Sequence, residues 1–258
     1  MKRLFIALIM PFVAFLANAQ SCPDDDHPHL IDLGLPSGTK WSCCNIGAAK
    51  PEEFGDYYAW GETNDKMIYD WSTYMYCDGS EDTCHDLGSD IAGTDYDVAH
   101  VKWGGSWVMP SIDQILELLT DCSYINTSVN GVNGGMITGP SGGTIFFPFA
   151  GERHSDVYSI GDFCQYWAST LLPYNSRYAY VLFLSNNYIL GQDDRCCGHT
   201  VRPVMSDPSN INLPESSSGK FNHAVYNIYG IKVADAADNI PSLHPGIYII
   251  NGKKMVLE

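Results

Sequence analysis

Basic residues are scarce in this sequence, which has 14 lysines and arginines against 30 aspartates and glutamates and a formal net charge of −16. Because binding to phosphate backbones depends on clustered lysine and arginine, this shortage excludes a nucleic-acid partner. Binding to anionic lipid headgroups is disfavoured for the same reason. We interpret the acidity as a feature that keeps the protein soluble.

Long apolar runs are missing beyond the first residues. Residues 1–19 start with two basic residues, continue with an apolar stretch and carry small side chains at Ala17 and Ala19, a pattern typical of a secretory signal peptide. It predicts cleavage between Ala19 and Gln20, with a lipoprotein signal at Cys22 as the alternative. No later segment predicts a transmembrane helix. We therefore expect an exported protein.

Zinc-type cysteine spacing is also missing, since the sequence contains neither paired CxxC motifs nor a Cys/His zinc pattern. All nine cysteines follow the signal, and in an oxidising compartment they favour disulfide bonds over catalysis. The odd count leaves at least one thiol free or bonded to another chain. We predict no cofactor and no metal.

The composition changes along the mature chain. Residues 20–29 form a short acidic leader, residues 30–205 a compact body, residues 206–221 a polar linker rich in Ser, Asn and Pro, and residues 222–258 a small β module. The many Tyr, Trp, Gly and Pro residues favour a loop-rich α+β architecture for the body.

Local patterns predict one helix and several strands in the body. Ser111 and Gln114 form a capping-box pattern, and apolar residues at helical spacing follow as far as Asp121. The predicted strands are residues 40–45, 144–148, 166–170, 177–185 and 200–205, and the glycine-rich run 130–143 is predicted to be turns around a hairpin. In the tail, Asn251-Gly252 predicts a hairpin turn between residues 246–250 and 253–257.

Six separated blocks of the body occur together in one known family. They are DLGLPSGTKW (32–41), NIGA (45–48), GDYYAWGET (55–63), WGGSWVMP (103–110), YWAST (166–170) and GHTVRPV (198–204). In this order they resemble the Fibrobacter succinogenes major paralogous domain of exported Bacteroidetes proteins, with departures at Val108 and Ala168, where Arg and Ser are usual. The resemblance covers residues 30–205 and implies a C-type lectin-like α+β fold whose first and last strands pair. It also implies a protein that is secreted or held on the outer surface of a Gram-negative bacterium. The tail is similar to C-terminal sorting modules of Bacteroidetes secretion, although it is shorter.

The resemblance also guides the disulfide prediction. With the first and last strands paired, Cys43 or Cys44 lies near the end of the body, and we predict the pair Cys44–Cys197. A second disulfide, Cys77–Cys84, is predicted to close an acidic loop. Calcium in that loop is an alternative, but the loop lacks the glycine of a calcium-binding loop.

Cysteine catalysis is a competing hypothesis for the end of the body. The vicinal pair Cys196-Cys197 beside Arg195 could supply a reactive thiolate, as in lectin-like oxidases, but that chemistry needs two separated cysteines.

The triplets that lectins use for calcium-dependent sugar binding are absent, so binding is expected to be calcium-independent.

The leading functional hypothesis is a non-enzymatic binding module for a glycan or an extracellular protein. The alternative is a structural surface-matrix protein with no small-molecule site, and an oxidase-like or hydrolytic enzyme is less favoured. Ligand contacts are expected on variable loops, and the candidates are Tyr158, Tyr174, Arg177, Tyr188 and Asp193. The tryptophans of the glycine-rich blocks are expected in the core: Trp60, Trp103, Trp107 and Trp167.

Overall fold

The computed structural model describes residues 30–205 and, in the tail, the strands 225–227, 232–234, 246–250 and 253–257. The chain divides into two units, residues 1–211 and 212–258, and each is described by itself. The first unit is built from small antiparallel sheets with few helices, as expected for a loop-rich α+β protein. The predicted signal, leader and linker lie outside the described residues. Within the described part, no helix has the length and apolar character needed to cross a membrane.

The first sheet joins the two ends of the body. Its strands are β1 (Leu30–Asp32), β2 (Lys40–Ser42) and β11 (Val204–Met205), in the order β1-β2-β11, and Trp41 pairs with Val204. The predicted strand 200–205 is therefore mostly irregular. Pro203 explains part of this, because it lacks the N–H that a ladder needs, although its carbonyl still accepts the Ser42 N–H at 2.9 Å.

The second sheet contains the glycine-rich run. It consists of β3 (Ser123–Val129), β4 (Val132–Thr138) and β5 (Thr144–Pro148), in the order β3-β4-β5. Asn130 and Gly131 have φ of 50° and 84°, which is the geometry of a tight hairpin turn. The predicted hairpin turn is therefore present, but most of the run is the strand β4 rather than a series of turns, and β3 was not predicted. A side chain at Gly135 in β4 would collide with the Tyr124 ring, which explains why glycine occupies this strand.

The third sheet has three antiparallel strands, two of which are largely buried. Its strands are β8 (Cys164–Leu171), β9 (Tyr178–Leu184) and β10 (Tyr188–Asp194), in the order β10-β9-β8, and a small hairpin pairs β6 (Glu152–Arg153) with β7 (Val157–Tyr158). The predicted strands 166–170 and 177–185 are confirmed with shifted ends. The strand β10 was missed because its half-buried sequence, YILGQDD, lacks regular alternation.

Two α-helices lie between β2 and β3. The predicted helix is confirmed as α2 (Ile112–Asp121), and both arms of the Ser111–Gln114 capping box are present. The other helix, α1 (Val98–Trp103), has six residues and begins at the buried Asp97, whose carboxylate accepts backbone N–H groups. It was not predicted, because six residues are too few to show a helical period.

Tryptophan forms much of the core, as expected. Trp60, Trp107 and Trp167 are buried and Trp103 is partly buried. The indole N–H of Trp60 donates to the Ala168 carbonyl at 2.9 Å, and that of Trp167 donates to the Tyr58 carbonyl at 2.7 Å. These rings therefore combine large apolar burial with satisfied polar atoms.

The second unit is a four-stranded antiparallel sheet. Its strands are β12 (Val225–Asn227), β13 (Lys232–Ala234), β14 (Gly246–Ile250) and β15 (Lys253–Leu257), in the order β13-β12-β14-β15. Ile250 pairs with Lys253, so the predicted strands on either side of Asn251-Gly252 are confirmed. The use of this module in sorting stays a prediction.

Candidate binding cleft and a carboxylate–imidazole cluster

An open cleft of about 710 Å³ lies beside the N-terminal end of α2. Its walls come from residues 86–90, residues 111–113 and residues 170–176. We call it the Tyr174 cleft. These segments are far apart in the sequence, so the site depends on long-range contacts.

Backbone hydrogen bonds hold the three walls together. The Leu171 N–H donates to the Ser89 carbonyl at 2.9 Å, and the Ser169 N–H donates to the Pro110 carbonyl at 2.8 Å. The Thr170 hydroxyl oxygen accepts the Ile112 N–H at 3.0 Å. The cleft is therefore organised before any ligand arrives, which reduces the entropy lost on binding.

The buried guanidinium of Arg195 holds the cleft wall at Ser176 by a hydrogen bond to its backbone carbonyl. Arg195 is fully buried, and it donates to the Tyr74 hydroxyl at 2.9 Å and to the carbonyls of His85 and Ser176 at 3.1 Å each. Its guanidinium carbon lies 4.7 Å from the centre of the Trp60 ring, in cation–π geometry. Sequence reasoning considered Arg195 only as a cation beside cysteines and missed this role.

The lining combines one aromatic ring with several oxygen-bearing side chains. Tyr174 is 78% exposed, and the carboxylates of Asp86, Asp90 and Asp113 are also exposed in the same cleft. Hydroxyl and amide groups of Ser89, Ser111, Asn175 and Ser176 complete the polar lining. Such a lining offers hydrogen-bond acceptors and donors around an apolar face.

Arg177, another predicted contact residue, belongs to the framework. Its guanidinium donates to both carboxylate oxygens of Asp194, at 2.5 and 2.8 Å, forms an ion pair with Glu81 and lies over the Trp71 ring. The hydrogen bond to Asp194 raises the pKa of Arg177 above its ordinary value. These partners occupy its donors, so the structure favours a structural role.

Tyr188 likewise packs inward. Its ring stacks on Tyr124, with centroids 5.0 Å apart and planes 9° apart, and its hydroxyl donates to the Leu118 carbonyl. Burial raises the pKa of Tyr188. The expected ligand role of Tyr188 is therefore not supported, because both the ring and the hydroxyl are already engaged.

Asp193 lies in a second constellation, formed with Glu152 and His199. One ligand-type atom from each residue lies within 4.8 Å of the others, and we call this set the carboxylate–imidazole cluster. The Nε2 atom of His199 lies 2.8 Å from Oδ2 of Asp193. Burial pushes the pKa of Asp193 upward, but the hydrogen bond and charge of His199 outweigh it, so the pKa of Asp193 lies below its usual value.

Tyr158 lies next to this cluster rather than in the Tyr174 cleft. It pairs with Glu152 across the β6–β7 hairpin and is 47% exposed. Its ring centroid lies 6.1 Å from that of His154. The five predicted contact residues therefore do not form one surface: only Tyr174 lines the cleft.

Three cysteines of the two predicted disulfides, Cys77, Cys84 and Cys197, carry thiols in the structure. Cys77 and Cys84 pair in an isolated antiparallel bridge, but their thiols are not within bonding distance: that of Cys77 donates to the Trp71 carbonyl at 3.0 Å and that of Cys84 to the Glu81 carbonyl at 3.4 Å. Cys44 lies in a small cluster with Cys43, whereas Cys197 belongs to the main core. The backbone pairing is therefore compatible with Cys77–Cys84, which stays a prediction, and the packing gives no support to Cys44–Cys197.

Comparison with protein-family models, with curated proteins and with solved structures finds no match to this chain. The function must therefore be argued from the site itself.

Proposed function

We propose that this protein is an exported, non-enzymatic binding module of the C-type lectin-like kind, and that it holds a glycan in the Tyr174 cleft without calcium. The observation that carries the proposal is the 78% exposed ring of Tyr174 in a cleft that also presents three exposed carboxylates. An exposed ring surrounded by hydrogen-bonding groups matches a sugar, which has an apolar C–H face and a rim of hydroxyls.

The charge of the cleft indicates which glycans fit. Asp86, Asp90 and Asp113 are acidic, and the lining residues include no lysine or arginine. Uronic acids and sulfated sugars would therefore be repelled. We expect neutral sugars or amino sugars, whose hydroxyl and ammonium groups donate to carboxylates.

Calcium independence is supported by the same residues. Among the described residues, Asp86, Asp90 and Asp113 do not bring three carboxylate oxygens within 4.8 Å of one another. Asp86 Oδ1 accepts the Gly88 N–H and Asp90 Oδ1 accepts the Ala92 N–H, each at 2.9 Å. Each of these two carboxylates therefore stabilises its own loop with one oxygen. We expect each to accept a ligand hydrogen bond separately rather than to share a metal ion.

Two observations support the absence of catalysis. The three cleft carboxylates are all exposed, whereas the general acid of a glycosidase depends on burial to remain protonated. The thiol of Cys196 and burial together raise the pKa of Cys197, which disfavours the thiolate that an oxidase-like reaction needs.

The fold part of the proposal is supported by the first sheet. The antiparallel pairing of β2 with β11 joins the start and end of the body, as a lectin-like domain requires.

A glycan array tests the proposal. The mature protein, residues 20–258, is applied with calcium and again with a chelator. Equal binding to neutral or amino-sugar glycans in both conditions is the expected result. Binding that disappears in chelator would contradict calcium independence, and no binding in either condition would contradict the glycan proposal.

A further inference from the structure

The carboxylate–imidazole cluster brings donors from separate parts of the body to one point. Glu152 comes from β6, Asp193 from β10, and His199 from the segment that leads to β11. One imidazole nitrogen and two carboxylate oxygens lie within 4.8 Å of one another. These are ligand atoms that divalent transition metals accept together.

Apart from His199, the two carboxylates have few cationic neighbours to balance them. Gln165 shares its amide nitrogen between them, at 3.1 Å from Glu152 and 2.8 Å from Asp193. His154 lies 3.7 Å from Glu152 but is largely exposed. Arg153 follows Glu152 in the strand, yet its guanidinium lies over the rings of Tyr57 and Tyr69. Two nearby anions of this kind favour a bound cation.

His199 supplies an independent observation. Its side chain is fully buried, and its ring packs against Trp167 with centroids 4.6 Å apart, so its orientation is fixed. Nε2 is directed at Asp193, while the buried Nδ1 has no hydrogen-bond partner. A proton on Nε2 is donated to Asp193 and leaves the buried Nδ1 lone pair unpaired. A proton on Nδ1 finds no acceptor and leaves the Nε2 lone pair facing the Asp193 carboxylate.

A cation between Nε2 and the carboxylates replaces the lone-pair repulsion of the Nδ1-protonated tautomer by attraction, while the Nδ1 N–H keeps no acceptor. A rotation of the Gln165 amide would exchange its nitrogen for its oxygen and add a fourth donor. We propose that Glu152, Asp193 and His199 bind a divalent transition-metal ion of the Zn²⁺ class. The ion ties the β6–β7 hairpin to β10 and to the segment before β11.

Cobalt(II) is the probe that tests this site. The mature full chain is stripped with chelator, and Co²⁺ binding is followed by equilibrium dialysis and by absorption spectroscopy. We expect one Co²⁺ per chain and visible d–d bands without the intense near-ultraviolet band of thiolate ligation. The second readout is the melting temperature, which rises with Co²⁺ because a ligand of the folded state stabilises it.

Matched variants locate the ion. Glu152→Gln should weaken Co²⁺ binding by at least about tenfold and abolish the rise in melting temperature. Asp156→Asn removes one acid from an exposed position in the same hairpin and should bind Co²⁺ like the wild type. If Glu152→Gln does not fold, Asp193→Asn replaces it.

Three results would overturn the proposal. They are a thiolate band, which would move the ion to the cysteines, unchanged binding in the folded Glu152→Gln variant, and no stoichiometric binding by the wild type.

Discussion

The Tyr174 cleft and the tryptophan core beneath it use aromatic rings in opposite ways. Tyr174 is 78% exposed, whereas Trp60 is 0% exposed and donates its indole N–H to a backbone carbonyl. Arg195 connects the two regions, because its guanidinium stacks on Trp60 and donates to the Ser176 carbonyl in the cleft wall. The comparison teaches that the aromatic residues of the glycine-rich blocks build the framework, while the intervening loops present the chemistry.

Substitution of Arg195, which connects the core to the cleft wall, should give the largest effect on stability. Arg195→Met leaves the Tyr74 hydroxyl and the carbonyls of His85 and Ser176 without their buried donor. We expect the free energy of unfolding to fall by roughly 3–5 kcal/mol, measured by urea denaturation of the mature protein.

Arg177→Met is the matched control for this prediction. Arg177 is half-buried and forms ion pairs with the partly exposed carboxylates of Asp194 and Glu81. Its removal should cost about 1–2 kcal/mol, less than that of Arg195, because both carboxylates are partly exposed to water. Equal losses in the two variants would show that Arg195 is not the special link between core and cleft.

A smaller effect is expected at the predicted disulfide. Under oxidising conditions, Cys77→Ser should lower the free energy of unfolding by about 2–3 kcal/mol, because the unfolded chain is no longer cross-linked. Glycan binding should be unchanged, since neither Cys77 nor Cys84 lines the cleft. A melting temperature that does not respond to the substitution or to a reducing agent would count against this disulfide.

The smallest effect concerns the loop that carries Tyr74. Asp70 accepts hydrogen bonds from the Ser72 hydroxyl and the Thr73 N–H, and the Ser72 bond in particular lowers the pKa of Asp70 from 3.8. A lowered pKa stabilises the fold above about pH 4, and this contribution disappears as the pH falls through the folded-state pKa. Asp70→Asn should therefore reduce stability slightly at pH 7 and not at all at pH 2, as measured by thermal melts. The same loss at both pH values would exclude this origin.

Local sequence signals predicted part of the fold. The helix α2 was predicted because its capping box and apolar period lie within consecutive residues. Turns around a hairpin were predicted for residues 130–143, but the strands β3 and β4 were not, although Asn130-Gly131 is the same turn signal that was recognised at Asn251-Gly252. The strand β4 was not recognised because glycine is unusual inside a strand. Gly134 and Gly135 occur there because a side chain at either position would collide with an aromatic ring on a neighbouring strand.

The site was less predictable, since it depends on distant segments. Tyr174 could be chosen because a tyrosine in a polar loop is a common binding residue. Asp86, Asp90 and Asp113 could not be chosen, because only the hydrogen bonds among residues 89, 110 and 171 bring their segments together. Asp193 was chosen for its loop position. His199 follows it by only six residues, but Glu152 lies in another part of the chain, so the sequence did not reveal the cluster.

The most direct test of the central claim compares two exposed tyrosines on the same glycan array. Tyr174→Ala removes the ring of the cleft, while Tyr158→Ala removes an exposed ring beside Glu152, away from the cleft lining. The account predicts that Tyr174→Ala weakens every wild-type glycan signal by at least about tenfold, which corresponds to about 1.4 kcal/mol, while the variant still unfolds cooperatively in a thermal melt. Tyr158→Ala should bind like the wild type. Full binding by a folded Tyr174→Ala variant would contradict the assignment of the cleft.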